Sequence, residues 1–188
     1  MANAVLTAIA ISPDRRYVVA GDSNGHILFY RRGMDNLMAS RQVYEGSSNT
    51  TAIAVSSDSM FAASSTMKND LIIWNIETAT TCKIFSLDGY YIKSMKFSSD
   101  NRLLVLRDSK NYIRIFDVEQ GRCIRTISGA AGNVFSLRRT ESDGFLVTSA
   151  SRGALSLIHV YFPERRNLPP MLISDVSTVE ESRQINAL

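Results

Sequence analysis

A short polar turn recurs along this chain at an almost constant interval. A Ser-x-Asp cluster follows a run of alternating apolar residues three times, and a fourth aspartate continues the series at Asp14, Asp58, Asp100 and Asp143. The intervals between these aspartates are 44, 42 and 43 residues. Self-similarity with a period of about 40–45 residues indicates a repeat architecture, in which each unit stacks on its neighbours. The chain should therefore fold as an array of similar units that act mainly through their surfaces.

Each unit contains short segments with the pattern of β-strands. Apolar residues at every second position of the first segment suit a strand with one buried face. The third segment ends in an aromatic residue in three units, at Tyr30, Trp74 and Phe116. Helical spacing is not evident in residues 1–160, so the pattern predicts an all-β fold. The predicted strands lie at 6–11, 17–20, 27–30 and 42–44 in the first unit, 51–55, 60–63, 71–74 and 82–85 in the second, 92–97, 103–106, 113–116 and 123–127 in the third, and 134–137, 145–147 and 155–158 in the fourth.

These repeats resemble the WD-repeat β-propeller family. The pairs that stand where the family carries Trp-Asp are Trp74-Asn75, Phe116-Asp117, Tyr30-Arg31 and Ile158-His159, the last two in degraded form. The segment Ser12-Pro13-Asp14 is similar to the family's usual turn. The resemblance covers roughly residues 1–160. It implies a β-propeller of four-stranded antiparallel blades with about four WD-type repeats.

The repeats also depart from the family pattern. The Gly-His pair expected before the first strand survives only as Gly129-Ala130. The buried aspartate expected between the second and third strands aligns with Asn24, Lys68 and Lys110. The family's His–Ser/Thr–Asp–Trp hydrogen-bond network is therefore expected to be absent or incomplete in every unit. Packing rather than that network should hold the blades.

Four blades are expected over residues 1–161, with boundaries near 1–45, 46–87, 88–128 and 129–161. Residues 162–188 contain three prolines and predict a mobile tail. Propellers have typically 4–8 blades, and WD-repeat rings usually resemble the seven-bladed form. We therefore expect a ring that is incomplete or completed by other segments. The hypothesis is that the chain is the C-terminal part of a larger WD-repeat protein, a short isoform or a partial gene model, and open blade edges favour self-association.

Composition excludes several classes of protein. No apolar stretch approaches about 18 residues and no secretory segment opens the chain, so no membrane span is expected. Cys82 and Cys123 lie at equivalent places in successive units, which favours unpaired thiols over a disulfide. The default compartment is the cytoplasm, with the nucleus as the alternative.

Catalytic and metal-binding patterns are not visible in the sequence. His26 and His159 occupy equivalent third-strand regions and have no Cys or His at ligand spacing, so zinc is not expected. No Gly-rich phosphate loop, nucleophile elbow or catalytic cysteine pattern occurs. The sequence predicts a protein that is not an enzyme, with no catalytic residue, metal or cofactor.

Four pairs of adjacent arginines occur along the sequence. The pairs begin at Arg15, Arg31, Arg138 and Arg165, and the net charge is +3. The segment Tyr30-Arg31-Arg32-Gly33 is similar to the Phe-Arg-Arg-Gly motif of phosphoinositide-binding propellers, although that motif follows a fourth strand and this one follows a third. Arg31 and Arg32 are therefore the candidates for a phosphoinositide or membrane-surface site, and an exposed hairpin turn is the alternative. No basic stripe with interleaved aromatics appears, so nucleic acid is not an expected partner.

Two adjacent tyrosines precede the first strand of the third unit. In the WD-repeat family this entry position borders the ring face used for partners, and tyrosine is a favoured anchor at protein interfaces. Tyr90 and Tyr91 are therefore the candidate partner-binding residues, with packing against a neighbouring blade as the alternative. The predicted function is a protein–protein interaction scaffold for a protein or peptide partner.

Overall fold

Small antiparallel sheets make up the computed structural model of the chain. The structure describes residues 4–33, 37–42, 48–127, 133–139, 144–151 and 154–161, the last three ranges by their backbone alone. Sheet 1 contains β1 (Leu6–Ile11), β2 (Tyr17–Asp22), β3 (His26–Arg31) and β4 (Leu37–Gln42). Sheet 2 contains β5 (Thr50–Val55), β6 (Phe61–Thr66), β7 (Asp70–Asn75) and β8 (Thr80–Ser86). Sheet 3 contains β9 (Ile92–Phe97), β10 (Leu103–Asp108), β11 (Ile113–Asp117) and β12 (Arg122–Ile127), and sheet 4 contains β13 (Asn133–Arg139), β14 (Gly144–Ser151) and β15 (Ala154–Tyr161).

The sheets follow one topology and stack in chain order. Within each sheet, consecutive strands pair antiparallel, so that each sheet is a meander. The first strands of neighbouring sheets contact one another, β1 with β5, β5 with β9 and β9 with β13. A small sheet cannot bury an apolar face alone, and stacking covers that face with the next sheet. The predicted all-β array of repeated units is confirmed.

The fourth strand of sheet 1 differs from its prediction. The sequence placed it at 42–44, whereas β4 spans Leu37–Gln42 and pairs with β3 from Tyr30 opposite Leu37 to His26 opposite Gln42. Most of β4 is exposed, because it is the outermost strand of its sheet. An exposed outer strand has no buried face to impose apolar alternation, and so its sequence carried little signal. Residues 43–47, including the predicted Tyr44, lie outside the described residues.

The Ser-x-Asp cluster closes the turn between the first and second strands of each of the first three sheets. In sheet 2, the Ser56 hydroxyl donates to Asp58 Oδ1 at 2.5 Å and accepts the Phe61 backbone N–H at 2.9 Å. Ser12 and Ser98 make the same two contacts in their own turns. Short polar side chains at these positions satisfy backbone groups that the strand ladder leaves open.

Charge also stabilises the first of these turns. The Ser12 hydroxyl and the Arg16 backbone N–H both donate to the Asp14 carboxylate, and they lower its pKa below the usual range. Because the folded-state pKa is the lower one, this contribution to stability is present above the carboxyl's ordinary pKa. It is lost as the pH falls through the lowered value.

Hydrogen bonds also join the turns of neighbouring sheets. The Asp14 N–H donates to the Ser59 hydroxyl at 3.1 Å, from sheet 1 to sheet 2. The Ser57 N–H donates to Asn101 Oδ1 at 2.7 Å, from sheet 2 to sheet 3. The three turns therefore form a continuous polar belt along one edge of the array.

Aromatic side chains fill the space between sheets 1 and 2. Phe29 of sheet 1 meets Trp74 of sheet 2 edge to face, with ring centroids 5.8 Å apart. The indole N–H of Trp74 donates to the Ser64 hydroxyl at 2.8 Å, so the buried ring leaves no polar atom unpaired. This bond is one link of the His–Ser/Thr–Asp–Trp network, which was predicted to be absent or incomplete in every unit. The buried residues of this interface are Tyr17, Val19, Ile27, Phe29, Ala62, Ile72, Trp74, Ile76 and Ala79.

The interface between sheets 2 and 3 repeats this arrangement. Phe116 occupies the position of Trp74 and packs against Phe85, with ring centroids 5.2 Å apart. Gly121 lies so close to Phe85 that an added Cβ would be 2.5 Å from the ring, and its φ is +69°, in the left-handed region. Glycine is therefore required at this turn both for its conformation and for the approach of the ring.

Trp74 and Tyr30 occupy the same repeat position but differ in burial. Trp74 is 2% exposed and Tyr30 is 38% exposed, because sheet 1 covers only the first of them. We expect Trp74→Ala to lower the free energy of unfolding by about 3–5 kcal/mol. Tyr30→Ala should cost less than about 1 kcal/mol. Urea unfolding of both variants at low protein concentration measures the difference, and equal losses would contradict the stacking assignment.

Candidate interaction surface

The antiparallel meanders place their connections at two opposite edges of the array. The upper edge carries the turns between second and third strands, at 23–25, 67–69 and 109–111, and the connection at 87–91 between sheets 2 and 3. The lower edge carries the Ser-x-Asp turns and the turns between third and fourth strands. The two predicted sites lie on different edges, Tyr90 and Tyr91 on the upper and Arg31 and Arg32 on the lower.

Tyr90 and Tyr91 differ in exposure. Tyr90 is 5% exposed and belongs to the core between sheets 2 and 3. Tyr91 is half-buried, and its backbone carbonyl accepts the Ser109 N–H at 2.8 Å. Burial leaves little of the Tyr90 ring for a partner to touch. A partner-binding role for the pair therefore depends on Tyr91, with Tyr90 holding the surface beneath it.

Arg114 joins Tyr90 to the neighbouring turn. Its guanidinium carbon lies 3.9 Å from the Tyr90 ring centroid and 5.7 Å from that of Tyr112. Its Nε donates to Asp108 Oδ2 at 2.7 Å. The Asp108 side chain is fully buried and that of Arg114 is 18% exposed. A stacked, charge-paired guanidinium in this position has little freedom to move, so the upper edge of sheet 3 is rigid.

The ionisation states of this cluster follow from its contacts. Burial raises the pKa of Tyr90 above its ordinary value, against the opposing charge of Arg114. Burial alone would lower the pKa of Arg114, but the hydrogen bond to Asp108 and the neighbouring Tyr90 raise it overall. The phenol is therefore neutral and the guanidinium charged at neutral pH.

Asp108 also organises the turn that follows it. Its Oδ1 accepts the backbone N–H groups of Lys110 and Tyr112, both at 2.9 Å. In sheet 1, Asp22 Oδ1 accepts the N–H groups of Asn24 and His26 in the same way, both at 2.8 Å. These carboxylates replace backbone partners in the turn.

The sequence alignment missed these aspartates. It placed the repeat's acidic position at Asn24, Lys68 and Lys110, whereas the structure buries Asp22, Asp70 and Asp108. In sheet 2 the acidic residue follows the turn instead of preceding it. Thr66 ends β6 and Asp70 begins β7, and the Thr66 hydroxyl donates to Asp70 Oδ2 at 3.3 Å. The available signal was a polar residue at the end of each second strand, at Asp22, Thr66 and Asp108.

Cationic side chains surround this turn on the exposed side. Lys93 Nζ and Arg107 Nη2 both donate to Asn111 Oδ1, at 3.5 and 3.0 Å. Lys110 is exposed on the same turn, and Tyr112 is 36% exposed beside it. The upper edge of sheet 3 thus presents two partly exposed aromatic rings, Tyr91 and Tyr112, among positive charges.

The lower edge of sheet 1 brings two arginine pairs together. The Arg32 N–H donates to the Arg16 carbonyl at 2.7 Å, which places the turn of Arg31 and Arg32 beside that of Arg15 and Arg16. All four side chains are exposed. The Arg31 guanidinium lies 5.9 Å from the Tyr17 ring, and Arg16 Nε lies 3.9 Å from Asp14 Oδ2. The sequence showed the pairs but not their proximity, which depends on strand pairing between β2 and β3.

The remaining predicted sites have simple surroundings. His26 Nδ1 lies 3.0 Å from Asp22 Oδ2, so its ring contributes to the turn. The side chains of His159, Arg138 and Arg139 and the whole of Arg165 and Arg166 lie outside the described residues.

Over the part of the chain with described side chains, no three His, Cys, Asp or Glu residues are grouped as metal ligands. None of the described segments is a helix able to cross a membrane.

Two family models match the sequence. The model described as "WD domain, G-beta repeat" matches residues 2–31, which form most of sheet 1. The model described as "Anaphase-promoting complex subunit 4 WD40 domain" matches residues 63–142, which run from sheet 2 into sheet 4. The chain belongs to the WD-repeat β-propeller family. WD-repeat proteins are generally non-catalytic scaffolds that bind protein partners.

Known proteins agree with this WD-repeat fold. The WD repeat-containing protein SL1-17 of Schistosoma mansoni is 30% identical over 123 residues, a match that covers 62% of this chain and 38% of that protein. The solved structure of RRP9 WD40 repeats matches with a TM-score of 0.67 at 15% identity. The match covers 84% of this chain and 48% of the RRP9 chain. The structure of U3-55K matches with a TM-score of 0.69 at 14% identity, over 85% of this chain and 50% of the U3-55K chain.

The fold alone does not select a function for this WD-repeat chain. Hydrazine synthase of Kuenenia stuttgartiensis is also similar, with a TM-score of 0.63 at 15% identity. That match covers 82% of this chain and 45% of the hydrazine synthase chain. Likeness at this identity shows the fold only. The chain spans about half the length of these structures and 38% of the curated relative.

The contact between Arg114 and Asp108 can be tested by removing its charge. Arg114→Met should lower the free energy of unfolding by about 1.5–3 kcal/mol, because Asp108 loses a charge-assisted hydrogen bond and keeps its two backbone donors. Arg122→Met is the matched control, since Arg122 is exposed and its Nε donates to Gln120. Urea unfolding compares the two variants. If both lost the same stability, the cluster would not be what holds this edge.

Proposed function

We propose that this chain is a protein–protein interaction scaffold whose partner binds at the upper edge of sheet 3. The observation that carries the proposal is the cluster of Tyr90, Arg114 and Asp108, which fixes the backbone on either side of Tyr91 and Tyr112. Binding surfaces draw their affinity from a few well-placed aromatic and arginine residues. A surface that is already rigid loses little conformational entropy when a partner binds.

The surrounding charges support a partner with acidic groups. Lys93 and Lys110 are exposed at this edge. Charge complementarity mainly increases the rate of association and selects among partners. The aromatic rings would provide contact area, and the lysines would favour a peptide or loop that carries Asp or Glu.

Peptide selection against the full chain tests this proposal. Peptides enriched by phage display should lose about 5–30-fold in affinity when Tyr91→Ala removes about 1–2 kcal/mol of contact energy. Fluorescence anisotropy with the selected, labelled peptides measures the dissociation constants. Thermal unfolding of the same variant shows whether the fold is retained.

The control for this experiment is Met60→Ala. Met60 is 55% exposed and lies on the lower edge, in the Ser-x-Asp turn of sheet 2. Its truncation should leave peptide affinity unchanged. If Tyr91→Ala lowers stability while peptide affinity stays at the wild-type value, Tyr91 serves packing and the proposed surface is wrong.

A second candidate function is binding to an anionic membrane surface through Arg31 and Arg32. The specific observation in its favour is the hydrogen bond from Arg32 to Arg16, which gathers four exposed arginines at one edge. Guanidinium groups bind phosphates through paired hydrogen bonds. Each basic residue near an anionic bilayer contributes roughly 1 kcal/mol to binding.

Liposome flotation separates this candidate from the scaffold. Vesicles containing phosphoinositide at low salt should float the wild-type chain, and Arg31→Glu with Arg32→Glu should lower the partition coefficient at least about 30-fold. Arg102→Glu with Arg122→Glu makes the same charge change on the lower edge of sheet 3 and should retain most binding. No flotation of the wild type at low salt would eliminate the membrane candidate.

A further inference from the structure

The outer face of sheet 1 carries a continuous set of apolar side chains, most of which are partly or largely exposed. Strand pairing aligns Ile11, Val18, Tyr30 and Leu37 in one row across the sheet. Ile11 is 63% exposed and Leu37 is 42% exposed. The neighbouring row on the same face contains Ile9, which is also 63% exposed, with Ala20, Leu28 and Ser40. Neither row contains a charged side chain.

The same face is covered in sheet 2. The residues equivalent to Ile11, Val18 and Tyr30 are Val55, Ala62 and Trp74, which also form one row through the pairing of β5, β6 and β7. This row packs against the opposite face of sheet 1. Sheet 3 presents its own equivalent, Phe116, to sheet 2. Each described interface therefore joins this face of one sheet to the opposite face of the preceding sheet.

The described interfaces define what would cover the outer face of sheet 1. The cover should be a twisted antiparallel sheet that approaches with the face opposite to the exposed one, as sheet 1 approaches sheet 2. Apolar patches of this kind on a protein surface mark interaction sites. Stacked sheets lie about 10 Å apart and interlock their side chains, so another sheet fits the two rows better than a single strand or helix.

We propose that the outer face of sheet 1 binds a second copy of this chain, through sheet 4 of that copy. The contact would extend the existing stacking direction from the fourth sheet of one copy to the first sheet of the other. The described parts of two copies would contain eight sheets, within the usual range of 4–8 for propellers. They would also supply about the length of polypeptide in the similar structures, of which one chain covers 45–50%.

The symmetry of such a pair makes it self-limiting. The contact joins two different surfaces, so it forms a closed ring only if the rotation returns to the starting copy. With two copies, each would contribute its sheet 1 to one contact and its sheet 4 to the other. Both exposed rows of the pair would then be buried, and association would stop at the dimer.

Sedimentation velocity of the full chain tests the proposal. From low to high micromolar concentration, the wild type should form a species of twice 20.9 kDa. Ile9→Lys with Ile11→Lys should shift the distribution to monomer, because it places two charges in the buried contact. Ile84→Lys is the matched control, since Ile84 is 57% exposed on the outermost strand of sheet 2 and should leave the dimer intact.

Several outcomes would overturn the proposal. These are a wild type that stays monomeric at high micromolar concentration, a mass that keeps rising with concentration, and a double-lysine variant that still dimerises. Far-UV circular dichroism checks that the variants keep their β-sheet content. If the lysine variant does not fold, Ile9→Ser with Ile11→Ser replaces it, and dimerisation of that folded variant at wild-type affinity would equally overturn the contact.

Discussion

The architecture depends on covering the apolar face of one small sheet with the next sheet. A four-stranded meander has too little interior to fold alone, and its largest side chains must enter the space between sheets. Phe29 with Trp74 fills the first of these spaces, and Phe85 with Phe116 fills the second. The period of the sequence is a consequence of this requirement, since each unit must place an aromatic or large aliphatic residue at the same point of its third strand.

The sequence was most informative where stacking imposes a pattern. The first three strands of each unit alternate or concentrate apolar residues because one or both of their faces are buried. Their first residues were predicted to within one position, whereas their last residues lie up to four positions beyond the predicted ends. The position of the fourth strand was harder to predict, because this strand lies at the outside of its sheet. In β4, apolar Leu37 and Met38 are followed by polar Ser40, Arg41 and Gln42, an order that carries no strand period.

The candidate surface could be predicted only in part. Tyr90 and Tyr91 were identified from their place before a first strand, but adjacent residues on an extended chain point in opposite directions, and the sequence does not say which one faces inward. Arg114 and Asp108 are separated by a turn, and their pairing follows from the register of β10 with β11. The resemblance to the family pattern placed the acidic position at Lys110, and so the prediction passed over Asp108, which ends β10 two residues earlier.

The belt of hydrogen bonds between successive Ser-x-Asp turns has a consequence for how the array loses its structure. Each turn closes its own hairpin and also binds the turn of the adjacent sheet, through Asp14 with Ser59 and Ser57 with Asn101. Loss of one hairpin therefore removes a partner from the next, in addition to uncovering its apolar face. Polar and apolar contacts couple the same pairs of neighbours, and this shared dependence favours cooperative melting of the first three sheets over independent fraying of each one.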